Sequence, residues 1–119
     1  MLFFPNCKIN IGLHIISKRE DGYHNIKTVF YPIPINDVLE IIPASLNNSN
    51  IEFSLSGNAI ACEDNENICV KAYQLLKEKF PQLPAVKMHL HKAIPSGAGL
   101  GGGSADGAAA LVLLNNKFN

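Results

Sequence analysis

The sequence predicts an α+β domain in two layers, a twisted and largely antiparallel sheet with helices packed on one side. Three observations carry this expectation. Several short runs alternate apolar and polar residues at the period of two that a half-buried strand requires. Two segments place small or apolar residues at helical spacing, and a glycine-rich stretch joins one of the strands to one of the helices. With 119 residues, 47% of them apolar, and zero formal net charge, the chain is long enough to bury one core and too apolar for disorder.

From Lys8 to Ile16, residues Ile9, Ile11, Leu13 and Ile15 fall on one face, and Lys8, Asn10, Gly12 and His14 on the other. A lysine, a small amide and a glycine in line suit the wall of a polar groove, although an ordinary solvated strand face explains the same pattern. Asp21-Gly22 signals a tight turn, so the run from Tyr23 to Phe30 is expected to pair back as a hairpin. Pro32 and Pro34 should break that run, since proline gives no N–H to a ladder. A strand over Asp37 to Ile42, a turn at Asn47 to Asn50 and a partner strand over Ile51 to Ser56 follow.

Small and acidic residues from Gly57 to Glu66 read as a loop. Asn67 is placed to cap a helix running to about Phe80, with Ile68, Ala72, Leu75, Leu76 and Phe80 near one face and Pro81 ending it. Val86 to His91 alternates as the strand before the glycines, and Ala108 to Leu114 lies in the helix after them. His89 and His91 share a face at a metal-ligand spacing, but no third ligand stands near them in the sequence.

Between those two elements, Ile94 to Asp106 holds five glycines in thirteen residues. A run of glycines lets successive backbone N–H groups converge, and a helix starting at about Gly103 adds unpaired N–H groups and the positive end of its dipole. Such a concavity binds anions, phosphate above all. A branched side chain at Gly101 or Gly102 should therefore block it. A linker would have polar or proline-rich neighbours, whereas this stretch is pinned between apolar elements. The P-loop pattern fails because no lysine follows the glycines. Gly97-x-Gly99-x-x-Gly102 meets the dinucleotide fingerprint formally, but no second parallel strand or ribose-holding acid follows.

Balanced charge argues against nucleic-acid binding by phosphate neutralisation and gives no basic face for a membrane. Cys7, Cys62 and Cys69 are odd in number and match no zinc spacing, as expected for free thiols in a reducing compartment. Neither a secretory leader nor an apolar run of roughly twenty residues is visible, and the expected location is cytoplasmic.

Pro95-x-Gly97-x-Gly99-Leu100-Gly101, with Gly102-Gly103-Ser104-Ala105 after it, resembles the ATP loop of the galactokinase, homoserine kinase, mevalonate kinase and phosphomevalonate kinase superfamily. The triple glycine is most similar to the branch that phosphorylates 4-diphosphocytidyl-2-C-methyl-D-erythritol in non-mevalonate isoprenoid synthesis. Pro5-Asn6-Cys7-Lys8-Ile9-Asn10 resembles that branch's opening segment, with cysteine where alanine is usual, and Asp21-Gly22-Tyr23-His24 matches a third motif. Cys7 is close to alanine in size, and a small buried role is expected for it.

The resemblance implies a left-handed βαβ phosphate-loop unit and an ATP-dependent kinase that uses Mg²⁺. It makes Lys8 catalytic and Asn10, Tyr23 and His24 substrate-binding, the tyrosine stacking on cytosine and the histidine at its edge. Pro95, Ser96, Gly97, Ala98, Gly99, Leu100, Gly101, Gly102, Gly103, Ser104 and Ala105 would hold the nucleotide phosphates. Lys92 would lie near the nucleotide and Asn67 against the adenine, although a plain helix cap explains Asn67 nearly as well. The branch's catalytic aspartate stands in a Gly-Ala-Asp segment that these residues lack. Residues 1–119 are thus expected to be an N-terminal ATP-binding domain, inactive without a second lobe. A kinase for another small alcohol and a catalytically dead nucleotide-binding domain are the alternative readings.

Overall fold

A computed structural model describes residues 1–44, 50–60 and 63–118. The strands are β1 (Leu2–Phe3), β2 (Asn6–Lys18), β3 (His24–Asn36), β4 (Val38–Pro43), β5 (Glu52–Gly57) and β6 (Val86–Lys92), and the α-helices are α1 (Ile68–Lys79) and α2 (Gly102–Phe118). The mixed α+β class agrees with the sequence expectation. The turn expected at Asn47 to Asn50 lies mostly outside the described residues, as does Cys62.

β1, β4, β6 and β5 form one sheet in that order. β6 is its spine, antiparallel to β4 and parallel to β5. The expected direct pairing of the Asp37–Ile42 and Ile51–Ser56 runs is therefore corrected: the last strand enters between them. Alternation tells which residues of a strand face the core, and nothing about which strand lies alongside. The parallel pair follows from α1, which carries the chain back between β5 and β6.

The core fills one face of this sheet. Leu39 and Ile41 of β4 and Val86, Met88 and Leu90 of β6 pack against Cys69, Ala72 and Tyr73 of α1 and Ala109, Ala110, Leu113 and Leu114 of α2. Tyr73 buries its ring and donates its hydroxyl to Pro84 O at 3.1 Å, so the large side chain leaves no unpaired polar atom. The buried stripe of α1 is thus rotated from the expected one, leaving Ile68, Leu75 and Phe80 exposed. The small residues of α2 let the two helices approach closely: a Cβ on Gly107 would come within 2.9 Å of Ile68 Cγ1.

β2 and β3 form a separate two-stranded sheet. At its tip Gly22 takes φ +86°, Tyr23 N donates to Asp21 Oδ1 at 3.1 Å, and Arg19 pairs with Asp21 at 2.6 Å. β3 runs through Pro32 and Pro34 instead of stopping before them. It pairs on one side only, and the ladder slips between Asn6 and Cys7, so the missing N–H groups are tolerated. The apolar face expected on β2 is not buried: Ile11, Leu13 and Ile15 are all more than half exposed. Cys7, at the base of this ribbon, is a buried free thiol, as its size implied.

Candidate functional site

The glycine-rich stretch leaves β6 at Lys92 and enters α2 at Gly102. Gly97, Gly99 and Gly101 have φ of +76°, +74° and +74°, the left-handed region closed to branched residues. A Cβ built on Gly97, Gly99 or Gly103 would meet nothing within 4 Å, so the loop's outer surface is open. The first helical bond closes from Ala105 N to Gly101 O, leaving the amides of Gly102, Gly103 and Ser104 ahead of it at the positive end of α2.

The first long strand holds the loop from below. Lys8 N donates to Leu100 O at 3.0 Å, and Lys8 Nζ donates to Gly99 O at 2.8 Å and to Asn10 Oδ1 at 3.0 Å. Asn10 Nδ2 donates in turn to Thr28 Oγ1 at 3.1 Å, whose hydroxyl donates to Gly12 O at 2.6 Å. Lys8 and Asn10 are half-buried. Two of the three ammonium donors are used, so the charge is aimed at the loop while one donor stays available.

Behind the loop lies a cavity of about 330 Å³ whose lining includes Asn67, Lys92, Ser96, Gly103, Ser104 and Asp106. A larger one, about 530 Å³, lies between Phe53, Asp64 and Tyr73 and touches none of the glycines. The smaller is the better candidate because it adjoins the glycine stretch and the helix N-terminus at Gly103 and Ser104. Asn67 caps α1 by accepting from Cys69 N at 2.9 Å, and it lines this cavity as well, so cap and wall coexist in one residue.

Lys92 is buried, with Nζ bonded to Asp37 Oδ2 at 2.5 Å and to Asp106 Oδ2 at 2.8 Å. Burial disfavours its ammonium, but hydrogen bonds and charge from Asp106 and Asp37 outweigh that and hold its pKa above the ordinary value. One cation is shared by two carboxylates, leaving a surplus negative charge in a dry place. Burial, opposed by Lys92, pushes Asp106 up to about 6 from 3.8, and its Oδ1 has no hydrogen-bond partner. Burial, with Asp106 as the next contribution, also pushes the Cys69 thiol up to about 12, which keeps it protonated and inert.

The sign of the Asp106 shift sets a pH dependence. A carboxyl whose folded pKa is raised contributes most stability below its unfolded pKa of 3.8 and loses that contribution as pH rises towards 6. Asp106→Asn stays neutral throughout. The wild-type chain is therefore expected to lose stability relative to Asp106→Asn as pH rises from about 4 to about 6. Urea denaturation of both proteins across this range checks it; parallel profiles would remove the shift.

Tyr23 and His24 are not brought to this site. Tyr23 is 74% exposed at the hairpin tip, and the Lys18↔His24 pair lies ten positions along β2 from Lys8, roughly 30 Å of strand. His89 and His91 share the hydroxyls of Ser54 and Ser56 at 2.7 to 2.9 Å, and among the described residues no group of three or more potential metal ligands occurs. Sequence reasoning missed Asp37, which reads only as the polar start of an apolar strand. Its one sequence signal is a carboxylate heading a run that must be buried.

Residues 67–119 match the family model described as the GHMP kinases N terminal domain. This segment spans the capped helix, the spine strand, the glycine loop and α2. Along its whole length the chain is similar to proteins named 4-diphosphocytidyl-2-C-methyl-D-erythritol kinase. One from Bacteroides fragilis is 60% identical over 121 residues, covering 100% of this chain and 43% of the relative. One from Cytophaga hutchinsonii is 58% identical over 118 residues, covering 99% and 42%. A crystal structure titled as 4-(cytidine 5'-diphospho)-2C-methyl-D-erythritol kinase superposes with a TM-score of 0.80 at 37% identity, over 98% of this chain and 40% of that one. The chain spans about two fifths of the length of the curated relatives it matches. The resemblance read from the loop and the first strand thus extends over the entire chain. No helix among the described residues is long and apolar enough to cross a membrane.

Proposed function

We propose that residues 1–119 form the ATP-binding half of a small-molecule kinase that transfers the γ-phosphoryl group of ATP to the 2-hydroxyl of 4-diphosphocytidyl-2-C-methyl-D-erythritol, in non-mevalonate isoprenoid synthesis in the cytoplasm. The observation that carries this reading is the Lys8 ammonium 2.8 Å from Gly99 O, which sets a fixed cation beside an open glycine loop and a helix N-terminus. The names of the relatives support the acceptor.

The residues present fit a nucleotide. The open side of Gly97, Gly99 and Gly103 admits phosphate oxygens where a Cβ would exclude them, and the amides ahead of Ala105 point donors at them. Asn67 and Ser104 line the adjoining cavity, where polar groups can meet a nucleoside. The left-handed crossover implied by the resemblance belongs to this proposal, with β5, α1 and β6 as its elements.

In the transfer, a bond forms between the acceptor hydroxyl oxygen and γ-phosphorus, the bond to the bridging β–γ oxygen breaks, ADP leaves, and the hydroxyl proton passes to a base. The loop amides orient the β- and γ-phosphates. Lys8 neutralises charge that develops between nucleophile and phosphoryl group, with Asn10 fixing its side chain. Mg²⁺, when bound, would supply neutralisation of phosphate charge, and since no group of three or more potential metal ligands occurs among the described residues, the nucleotide would hold it in the main. The base is assigned to the second lobe that the resemblance implies. That lobe would also cover the apolar ribbon face, and Tyr23 and His24 keep the cytosine-binding roles that the resemblance implies.

The test is transfer of label from γ-labelled ATP to the cytidyl substrate. A protein of the relatives' full length carrying this region is expected to phosphorylate it in preference to other small alcohols, and the 119-residue chain alone to show no turnover. Turnover by the chain within about a hundredfold of the longer protein would place the base inside it, with His14 and Asp106 the first residues to examine.

A further inference from the structure

Asp37, between β3 and β4, is fully buried, and its carboxylate reaches three parts of the site at once. Oδ1 accepts from the amides of Ala93 at 2.7 Å and Ile94 at 2.9 Å, the two residues that lead from β6 into the loop. Oδ2 accepts from Lys92 Nζ at 2.5 Å, and the same ammonium donates to Asp106 Oδ2 at 2.8 Å, in the α2 helix that leaves the loop. A Cβ on Gly102 would lie only 3.4 Å from Asp37 Oδ2, so the first residue of α2 rests against the same carboxylate. Entry and exit of the glycine stretch are therefore tied to one buried side chain that binds no phosphate itself.

The physical need for such a tie is plain. Glycines lose more backbone freedom on ordering than any other residue, and a loop that samples many shapes gives up affinity when it must adopt one. We infer that Asp37 is a positioning residue that, through the Ala93 and Ile94 amides and the Lys92–Asp106 pair, holds the loop in its phosphate-binding shape before nucleotide arrives. This rests on the reading of the loop as a phosphate site.

Asp37→Asn tests this role. Its amide oxygen can still accept from Ala93 and Ile94, but an NH₂ then faces the Lys92 ammonium, so the link to α2 opens with little change in volume. Calorimetry with ATP and with adenosine is expected to show ATP affinity falling about tenfold in the variant while adenosine affinity stays within about twofold. A variant that keeps the full preference for ATP, or weakens both ligands in the same ratio, would overturn the inference and leave the loop reading standing. A wild-type chain with no preference for ATP over adenosine would overturn the loop reading and this inference together. Hydrogen exchange on the unaltered chain adds a readout that needs no folded variant. The Ala93 and Ile94 amides should be protected without nucleotide, and exchange as fast as that of the exposed Ser96 to Ala98 amides would show that Asp37 does not hold them.

Discussion

Gly101→Val is expected to lower ATP affinity by about a hundredfold or more while the core stays folded. Two effects act together. Gly101 has φ +74°, where a β-branched residue is strained, and relieving that strain moves the amides that face the phosphates. A Cβ there would also stand 3.1 Å from Lys8 Cε and 3.8 Å from Nζ, so valine pushes the cation off Gly99 O. Neither effect reaches the packing of Leu39, Met88 and Leu113, which fixes the sheet to α2. Calorimetry paired with thermal unfolding checks both halves, and an unchanged ATP affinity in a folded variant would contradict the loop assignment. Gly102→Val has a different outcome. Its Cβ would come within 2.8 Å of Ile94 Cγ2, inside buried structure, so that variant should lose stability along with affinity.

Lys8→Ala, in a kinase of the relatives' full length carrying this region, should slow phosphoryl transfer by about 10² to 10³ with KM for ATP changed far less. The loop amides and the α2 N-terminus remain, so ground-state binding of phosphate persists. What is lost is one positioned cation where charge develops. Its position is specific, since Asn10, Thr28 and Gly12 form a chain of hydrogen bonds leading to it. Steady-state kinetics separate the two quantities: near-normal turnover would remove Lys8 from the catalytic set, and a large rise in KM alone would make it a binding residue.

The parts legible in the sequence are those punctuated locally. Gly22 marks the hairpin turn, Asn67 marks the start of α1, and the run Gly97 to Gly103 marks a strand-to-helix passage, because each depends on φ, capping or spacing within a few residues. What was not legible depends on distant neighbours. The insertion of β6 between β4 and β5 leaves no trace in the alternation of any one strand. The stripe of α1 that is buried, Cys69, Ala72 and Tyr73, packs with Ala109, Ala110, Leu113 and Leu114 of α2, some forty positions away in sequence. Asp37 meets its partners Lys92, Ala93 and Ile94 55 to 57 positions further on, and its place at the head of a buried run gives no sign of which residues those are. Lys8 was legible as a groove residue, but its bond to Gly99 spans 91 positions.

The measurement closest to the central claim is an amide-resolved NMR titration of the 119-residue chain with ATP. The account predicts that the largest shifts fall on Gly97, Gly99 and Gly101 to Ser104, that ADP reproduces most of them, and that adenosine moves Asn67 and its cavity neighbours while leaving the loop glycines nearly still. Shifts confined to the larger cavity between Phe53 and Tyr73, or loop amides that respond equally to adenosine and to ATP, would contradict it.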